Sequence, residues 1–218
     1  MKSLFDFAED FRDVSFEALG VTEADNAVFC RLSYLDFSGF AQKTLAYIAE
    51  NFSYTDESRI NRTNKNTVKT EDLLKLLGKT ERYRNVILSE FRECDEENSL
   101  TAFSASVFRI TKEISFIAYR GTDETILSFY EDAELSYSFP IAAQLASLSY
   151  TNYILKNHSG NFILGGHSKG GNLAMFSFMF SEDEHKNRIK LVYNNDGPGY
   201  PKELAPLLFT AENCEKIT

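Results

Sequence analysis

The sequence predicts an α/β fold, a mostly parallel sheet flanked by helices behind a helical N-terminal region. Three observations carry this. From residue 101 onward, short β-branched and aromatic runs alternate with stretches of helical period. The apolar run "NFILGG" passes through "HSK" straight into "GGNLAMFSFMFS", a helix apolar nearly all round and therefore buried on several sides. "IKLVYNND" then follows, so that strand, helix and strand repeat at the spacing of right-handed βαβ units.

The first hundred residues read as helical. Thr22 suits the N-cap of "TEADNAVFCRLSYLDF", in which Ala24, Val28, Leu32 and Leu35 recur at helical spacing. Leu45, Ile48 and Phe52 mark a second, short helix. Residues 53–69, polar and rich in Asn and Thr, read as a loop. Thr70 caps "TEDLLKLLG" with Gly78 at its end, and Thr80 opens "TERYRNVILSEFREC" as a further helix. "DEEN" at 95–98 reads as a solvated turn. "TAFSASVFRI" and "EISFIAYRG", separated by a Thr-Lys turn, then form a hairpin. Pro140 suits the first turn of "PIAAQLASLSYTNYILKN", whose Ile141, Leu145, Leu148 and Leu155 make one apolar stripe. The expected organisation is one domain, a helical region over 1–100 packed on an α/β core over 101–218.

Composition removes several function classes. The chain has 218 residues, 43% of them hydrophobic and 25% charged, which is ordinary for a globular domain. Its net charge of -9 and the lack of any basic run give no electrostatic help toward nucleic acid. Cys30, Cys94 and Cys214 are odd in number and widely spaced, which fits reduced thiols rather than a disulfide framework or a zinc site. No apolar run approaches the ~20 residues of a membrane span, and the N-terminus lacks the apolar segment of a signal peptide. A cytoplasmic protein with no metal and no cofactor is expected.

Chemistry concentrates at Gly166-His167-Ser168-Lys169-Gly170, a G-x-S-x-G pattern. Between a strand and a helix this pattern makes a nucleophile elbow, a sharp turn that lifts the serine hydroxyl beside free amides. Gly166 and Gly170 let strand and helix pass closely, and the helix N-terminus directs its dipole at the site. The N–H after the nucleophile, that of Lys169, is one candidate oxyanion donor. The second belongs on a loop after an earlier strand. "AYRGTDETILSFYED" fits: Tyr119 ends a strand, Gly121 allows a tight exit, and Thr122 offers an N–H and a hydroxyl at the same sheet edge.

"YRGTDETILSFYED" followed by "GGHSKGGNLA" resembles the class 3 lipase-like branch of the α/β hydrolases. "LFDFAEDFRDVSFEALGVTEADNAVFCRLSYLDF", "GHSKGGNLA" and "VYNNDGPGYP" are similar to its bacterial Mbeg-type subfamily, over about residues 4–201. The resemblance implies an α/β-hydrolase-like fold acting on an acyl ester or related bond of a small molecule. It implies an oxyanion role for Thr122 and a structural role for Asp132 in the same loop.

The general base is harder to place among three histidines. His158 precedes the elbow strand, and six extended residues at ~3.3 Å each put it roughly 20 Å from Ser168. His185 follows the elbow helix, about a dozen residues at 1.5 Å each, roughly 18 Å to the same far edge. His167 adjoins Ser168, but its side chain is expected to point away and pack under the elbow. Asp196 ends the strand after the elbow helix on the serine's edge, where it is either a triad acid or a turn-stabilising residue. Hydrolases of this kind run Ser, then Asp or Glu, then His, and no histidine follows His185. About four strands are recognisable, so the core is expected to lack its last strands. Two function classes stay open: a serine hydrolase of lipase or esterase type working through Ser168, and a non-catalytic hydrolase-like module that binds a ligand or self-associates through an open sheet edge.

Overall fold

The computed structural model describes residues 2–54, 65–96, 101–123 and 125–218, built round a six-stranded sheet in sequential order. The strands are β1 (Lys43–Thr44), β2 (Ile87–Glu96), β3 (Thr101–Arg109), β4 (Ile114–Tyr119), β5 (Asn161–His167) and β6 (Ile189–Asn195). β1 to β4 pair antiparallel, whereas β4, β5 and β6 are parallel. The parallel pairs come where helices intervene, because a parallel neighbour needs a long crossover. On the outer side of β6, Ile217 makes a parallel bridge to Val192.

Helices cover both faces. α1 (Leu4–Asp10), α2 (Glu23–Leu32), α3 (Leu45–Asn51) and α4 (Lys65–Leu77) belong to one layer. There Val28, Phe29, Leu32, Leu45 and Leu74 share a core with Phe108, Phe116, Ala118 and Ile163 of the sheet. α5 (Ile126–Glu134), α6 (Ala142–Asn157), α7 (Lys169–Phe180) and the short α8 (Asp183–Lys186) follow β4. On the opposite face Ile154, Leu155, Leu173 and Phe178 pack with Val107, Ile117, Tyr119, Leu164 and Val192. β4 shows the logic: Phe116 and Ala118 enter one core, Ile117 and Tyr119 the other. A strand buried on both faces has no polar alternation, which is why these segments read as continuous apolar runs.

The N-terminal layer is pinned by a buried ion pair. Thr22 caps α2 in a reciprocal box with Asp25. Asp25 also accepts from Arg82 Nη2 at 2.6 Å and from the Tyr83 hydroxyl at 2.5 Å, and both the Asp25 and Arg82 side chains are fully buried. Arg82 donates further to the carbonyls of Val14, Ser15, Leu19 and Gly20. One guanidinium thereby satisfies the irregular segment between α1 and α2.

Several expectations are corrected. "TERYRNVILSEFREC" is a turn followed by β2, not a helix. Tyr83, Ile87, Leu88 and Phe91 recur at helical spacing, but Ile87, Leu88 and Phe91 lie in a strand whose register shifts between Leu88 and Glu90, and pairing with β3 decides the matter. The sheet is therefore mixed as a whole and, among the described residues, has six strands rather than four, the parallel part being β4–β6. Thr70 sits inside α4, which begins at Lys65, so the end of the 53–69 stretch is helical. Residues 55–64 of that stretch, and 97–98 of "DEEN", lie outside the described residues, while Asp95 and Glu96 belong to β2. Pro140 lies just before α6, whose N-cap position is Ile141, with the Ile141 N–H donating to Gln144 Oε1 at 2.9 Å. Gly78 does follow the last residue of α4, and a Cβ there would lie 2.4 Å from the Ala49 Cβ.

Candidate active site

Ser168 stands between β5 and α7 with φ 55° and ψ -128°, a conformation that costs a non-glycine residue of the order of 1–3 kcal/mol. The surrounding hydrogen bonds hold it there. Its N–H donates to Asn195 O of β6 at 2.9 Å, and its carbonyl accepts from Gly171 N–H at 2.9 Å as α7 begins. Among the described residues its Oγ has no hydrogen-bond partner, and the residue is partly exposed. A Cβ on Gly166 would lie 2.2 Å from the backbone C and O of Gly170, so no side chain fits between strand end and helix start. A Cβ on Gly170 would lie 2.3 Å from Tyr119 O, which brings the β4 exit equally close.

The loop after β4 lies against the elbow. A Cβ on Gly121 would meet His167 O at 2.2 Å and the Tyr34 hydroxyl at 2.5 Å. The Thr122 hydroxyl donates to Asp132 Oδ2 of α5 at 2.6 Å, and the Asp123 N–H donates to Ser128 Oγ at 3.1 Å. Burial opposes ionisation of Asp123, but the Arg120 guanidinium and the Thr125 hydroxyl and N–H outweigh it and hold this carboxyl below its ordinary pKa. Lys169 is the first residue of α7, where backbone N–H groups have no intrahelical acceptor. Its side chain runs inward and is fully buried, with Nζ donating to Glu131 Oε2 at 2.5 Å and to Ser128 Oγ at 3.0 Å.

The histidines fall apart as the spacing argument expects for two of them. His158 follows α6 before β5, with Nε2 3.4 Å from Glu90. His185 lies in α8 beyond the other end of α7, its Nε2 3.0 Å from Glu184. Glu182, Glu184 and His185 gather there, with both glutamates exposed. His167 is corrected: its side chain is exposed rather than packed under the elbow. The space beneath belongs to Asn195, which donates to Gly166 O at 2.9 Å, and to its partner Asn26, whose Nδ2 donates to Asn195 Oδ1 at 2.8 Å. His167 Nδ1 instead comes 3.4 Å from the Tyr34 hydroxyl, whose pKa burial pushes up to about 12.

Asp196 ends up on the serine's edge, exposed and at φ 57°. Its carboxylate has no hydrogen-bond partner among the described residues. Asn194 holds the turn instead, accepting the Gly197 N–H at 2.9 Å. Buried Asn172 of α7 ties "DGPGY" down: its Nδ2 donates to Pro198 O at 2.9 Å, and its carbonyl accepts the Tyr200 hydroxyl at 2.5 Å.

Sequence reasoning missed Tyr34, Asn26, Asn195, Ser128 and Glu131. Only the last pair left a signal, since Ser128, Glu131 and Asp132 share one helix face at i, i+3 and i+4. A cleft of about 570 Å³ lined by Phe37, Gly39, Phe91 and Glu93 opens on the same sheet edge. It lies three strand spacings from β5, roughly 14 Å away. Glu93 there accepts from Arg120 Nη1 at 2.6 Å.

Residues 77–217 match a family model described as Mbeg1-like. A comparison with curated proteins finds no match. Among solved structures, a fungal lipase in complex with an inhibitor, studied for interfacial activation, is similar at a TM-score of 0.41 and 14% identity, over 86% of this chain and 68% of that one. A likeness this distant says nothing of the chemistry at Ser168.

Proposed function

We propose, for a chain that belongs to the Mbeg1-like family, the chemistry of a serine hydrolase of lipase or esterase type. In this reading Ser168 Oγ attacks the carbonyl of an acyl ester, and the N–H groups of Thr122 and Lys169 receive the developing oxyanion. The Oγ–C bond forms as the carbonyl π pair moves onto oxygen. On collapse the ester C–O bond breaks and the alcohol leaves with the serine proton, and water then cleaves the acyl-serine to release the acid and restore the hydroxyl. The observation that carries this is the backbone of Ser168, held at φ 55° with its hydroxyl unbound where a β-strand turns into a helix. Such strain is retained where it serves a site. Support for an acyl substrate comes from α5, which follows the Thr122 loop and shows Ile126, Phe129 and Tyr130 to solvent. No cofactor enters the step.

The second reading is a hydrolase-like module that binds a ligand without turning it over. It is favoured by one observation: among the described residues no histidine hydrogen-bonds Ser168. Asp196 as catalytic acid belongs to the first reading, with its carboxylate exposed on the correct edge. A cytoplasmic location is proposed under either reading, and self-association through the sheet edge belongs to the second. Among the described residues no helix is long and apolar enough to cross a membrane.

A fluorophosphonate probe separates the readings. The hydrolase reading expects covalent labelling of the wild type that maps to Ser168 and vanishes in Ser168→Ala. A folded wild type that stays unlabelled selects the binding module.

A further inference from the structure

α5 carries one acceptor for each candidate oxyanion donor. Asp132 holds the Thr122 hydroxyl. One residue earlier, Glu131 holds the side chain of Lys169, with both groups fully buried. The other Glu131 oxygen accepts the Ala102 N–H of β3 at 2.9 Å, so this carboxylate is itself anchored to the sheet. Ser128, one turn back and 1% exposed, accepts from Lys169 Nζ and from the Asp123 N–H, and thereby touches the elbow and the Thr122 loop at once.

A buried lysine–glutamate pair is a poor way to gain stability, because desolvating both charges offsets their attraction and apolar residues of similar volume do as well or better. What the pair supplies is direction. Hydrogen bonds from Nζ to Oε2 and Oγ fix the first residue of α7 against α5 in distance and angle, which apolar packing does not.

We propose that Glu131, together with Ser128, is a positioning residue for the oxyanion hole. Acting through the Lys169 ammonium, it sets where the Lys169 N–H points, while Ser128 holds the Thr122–Asp123 backbone to the same helix. What the hole binds rests on the serine-hydrolase reading; the positioning itself does not.

The test uses the full chain and the double variant Lys169→Met with Glu131→Met, which swaps the pair for apolar residues of similar volume. Ser128→Ala is the second variant, in case the double variant fails to fold. Fluorophosphonate labelling of Ser168 is timed, Tm is recorded, and amide exchange of Asp123 is followed in the double variant. Positioning predicts labelling at least about tenfold slower in either variant, a fraction of the loss on removing an oxyanion donor outright. It also predicts an unchanged or raised Tm in the double variant, with Asp123 exchange at least about tenfold faster and β5 amides unaffected. Labelling at the wild-type rate in both variants, with Asp123 exchange unmoved, overturns the proposal and leaves the hydrolase reading standing. An unlabelled wild type whose Asp123 exchange still rises selectively in the double variant removes the hydrolase reading and keeps the positioning role.

Discussion

Gly170→Ala tests the closeness on which the whole site depends. The added Cβ would sit 2.3 Å from Tyr119 O and 3.0 Å from Gly121 N, both backbone atoms that no rotamer change can move aside. An ordinary carbon–oxygen contact is about 3.4 Å, so the start of α7 has to withdraw from the β4 exit by roughly 1 Å. Overpacking of that kind costs about 3 kcal/mol, the upper end of the usual range. At about 2–4 °C per kcal/mol for a chain of this size, Tm falls by roughly 6–12 °C. The same displacement separates the Lys169 amide from the Thr122 loop, and under the proposed hydrolase chemistry a misplacement of about 1 Å slows labelling of Ser168 on the order of 100-fold. Urea denaturation read by far-UV circular dichroism gives the first number and timed fluorophosphonate labelling the second. Gly20→Ala is the control, since a Cβ there meets nothing within 4 Å; it is expected to be neutral or to stabilise by about 0.4–1 kcal/mol. A Gly170→Ala protein within about 0.5 kcal/mol of wild type, as surface changes usually are, would refute the argument that the loop and helix touch through bare backbone.

Two further outcomes are expected. Arg82→Met removes one partner of a fully buried pair and leaves Asp25 without its counter-charge, so urea unfolding is expected to show a loss of about 3–5 kcal/mol; a loss below about 1 kcal/mol contradicts the account of the N-terminal layer. Burial raises the Cys30 thiol pKa well above its ordinary value, whereas Cys214 is exposed. Iodoacetamide at pH 8 is therefore expected to modify Cys214 promptly and Cys30 only after unfolding. Equal rates on the folded chain contradict the packing of α2 against the elbow.

The strand–turn–helix at Ser168 and the loop after β4 were readable in the sequence because their requirements are local. A strand, a sharp turn and a helix within about twenty residues leave a periodicity switch and a pair of glycines, and the Thr122 loop leaves its mark directly after a strand. Likewise the placing of His158 before β5 and of His185 beyond α7 follows from the order of the elements alone. β2 escaped detection because Tyr83, Ile87, Leu88 and Phe91 recur at helical spacing and a register shift between Leu88 and Glu90 breaks the strand's alternation, so that only pairing with the edge of β3 reveals it. His167 was misplaced for a related reason: the space under the elbow is filled by Asn26, 141 residues earlier in the chain, bonded to Asn195.

By itself the sequence determined the strand–turn–helix around Ser168, the loop that faces it and the placing of His158 and His185 beyond the far ends of the strand and the helix, all consequences of spacing within one segment. Only the tertiary structure decided that the sheet is mixed, that Asn194 rather than Asp196 holds the turn after β6, and that Lys169 is buried on Glu131. Those outcomes depend on which groups meet across the fold, where a buried charge or an unpaired strand edge must find a partner, and no local pattern of residues encodes that meeting.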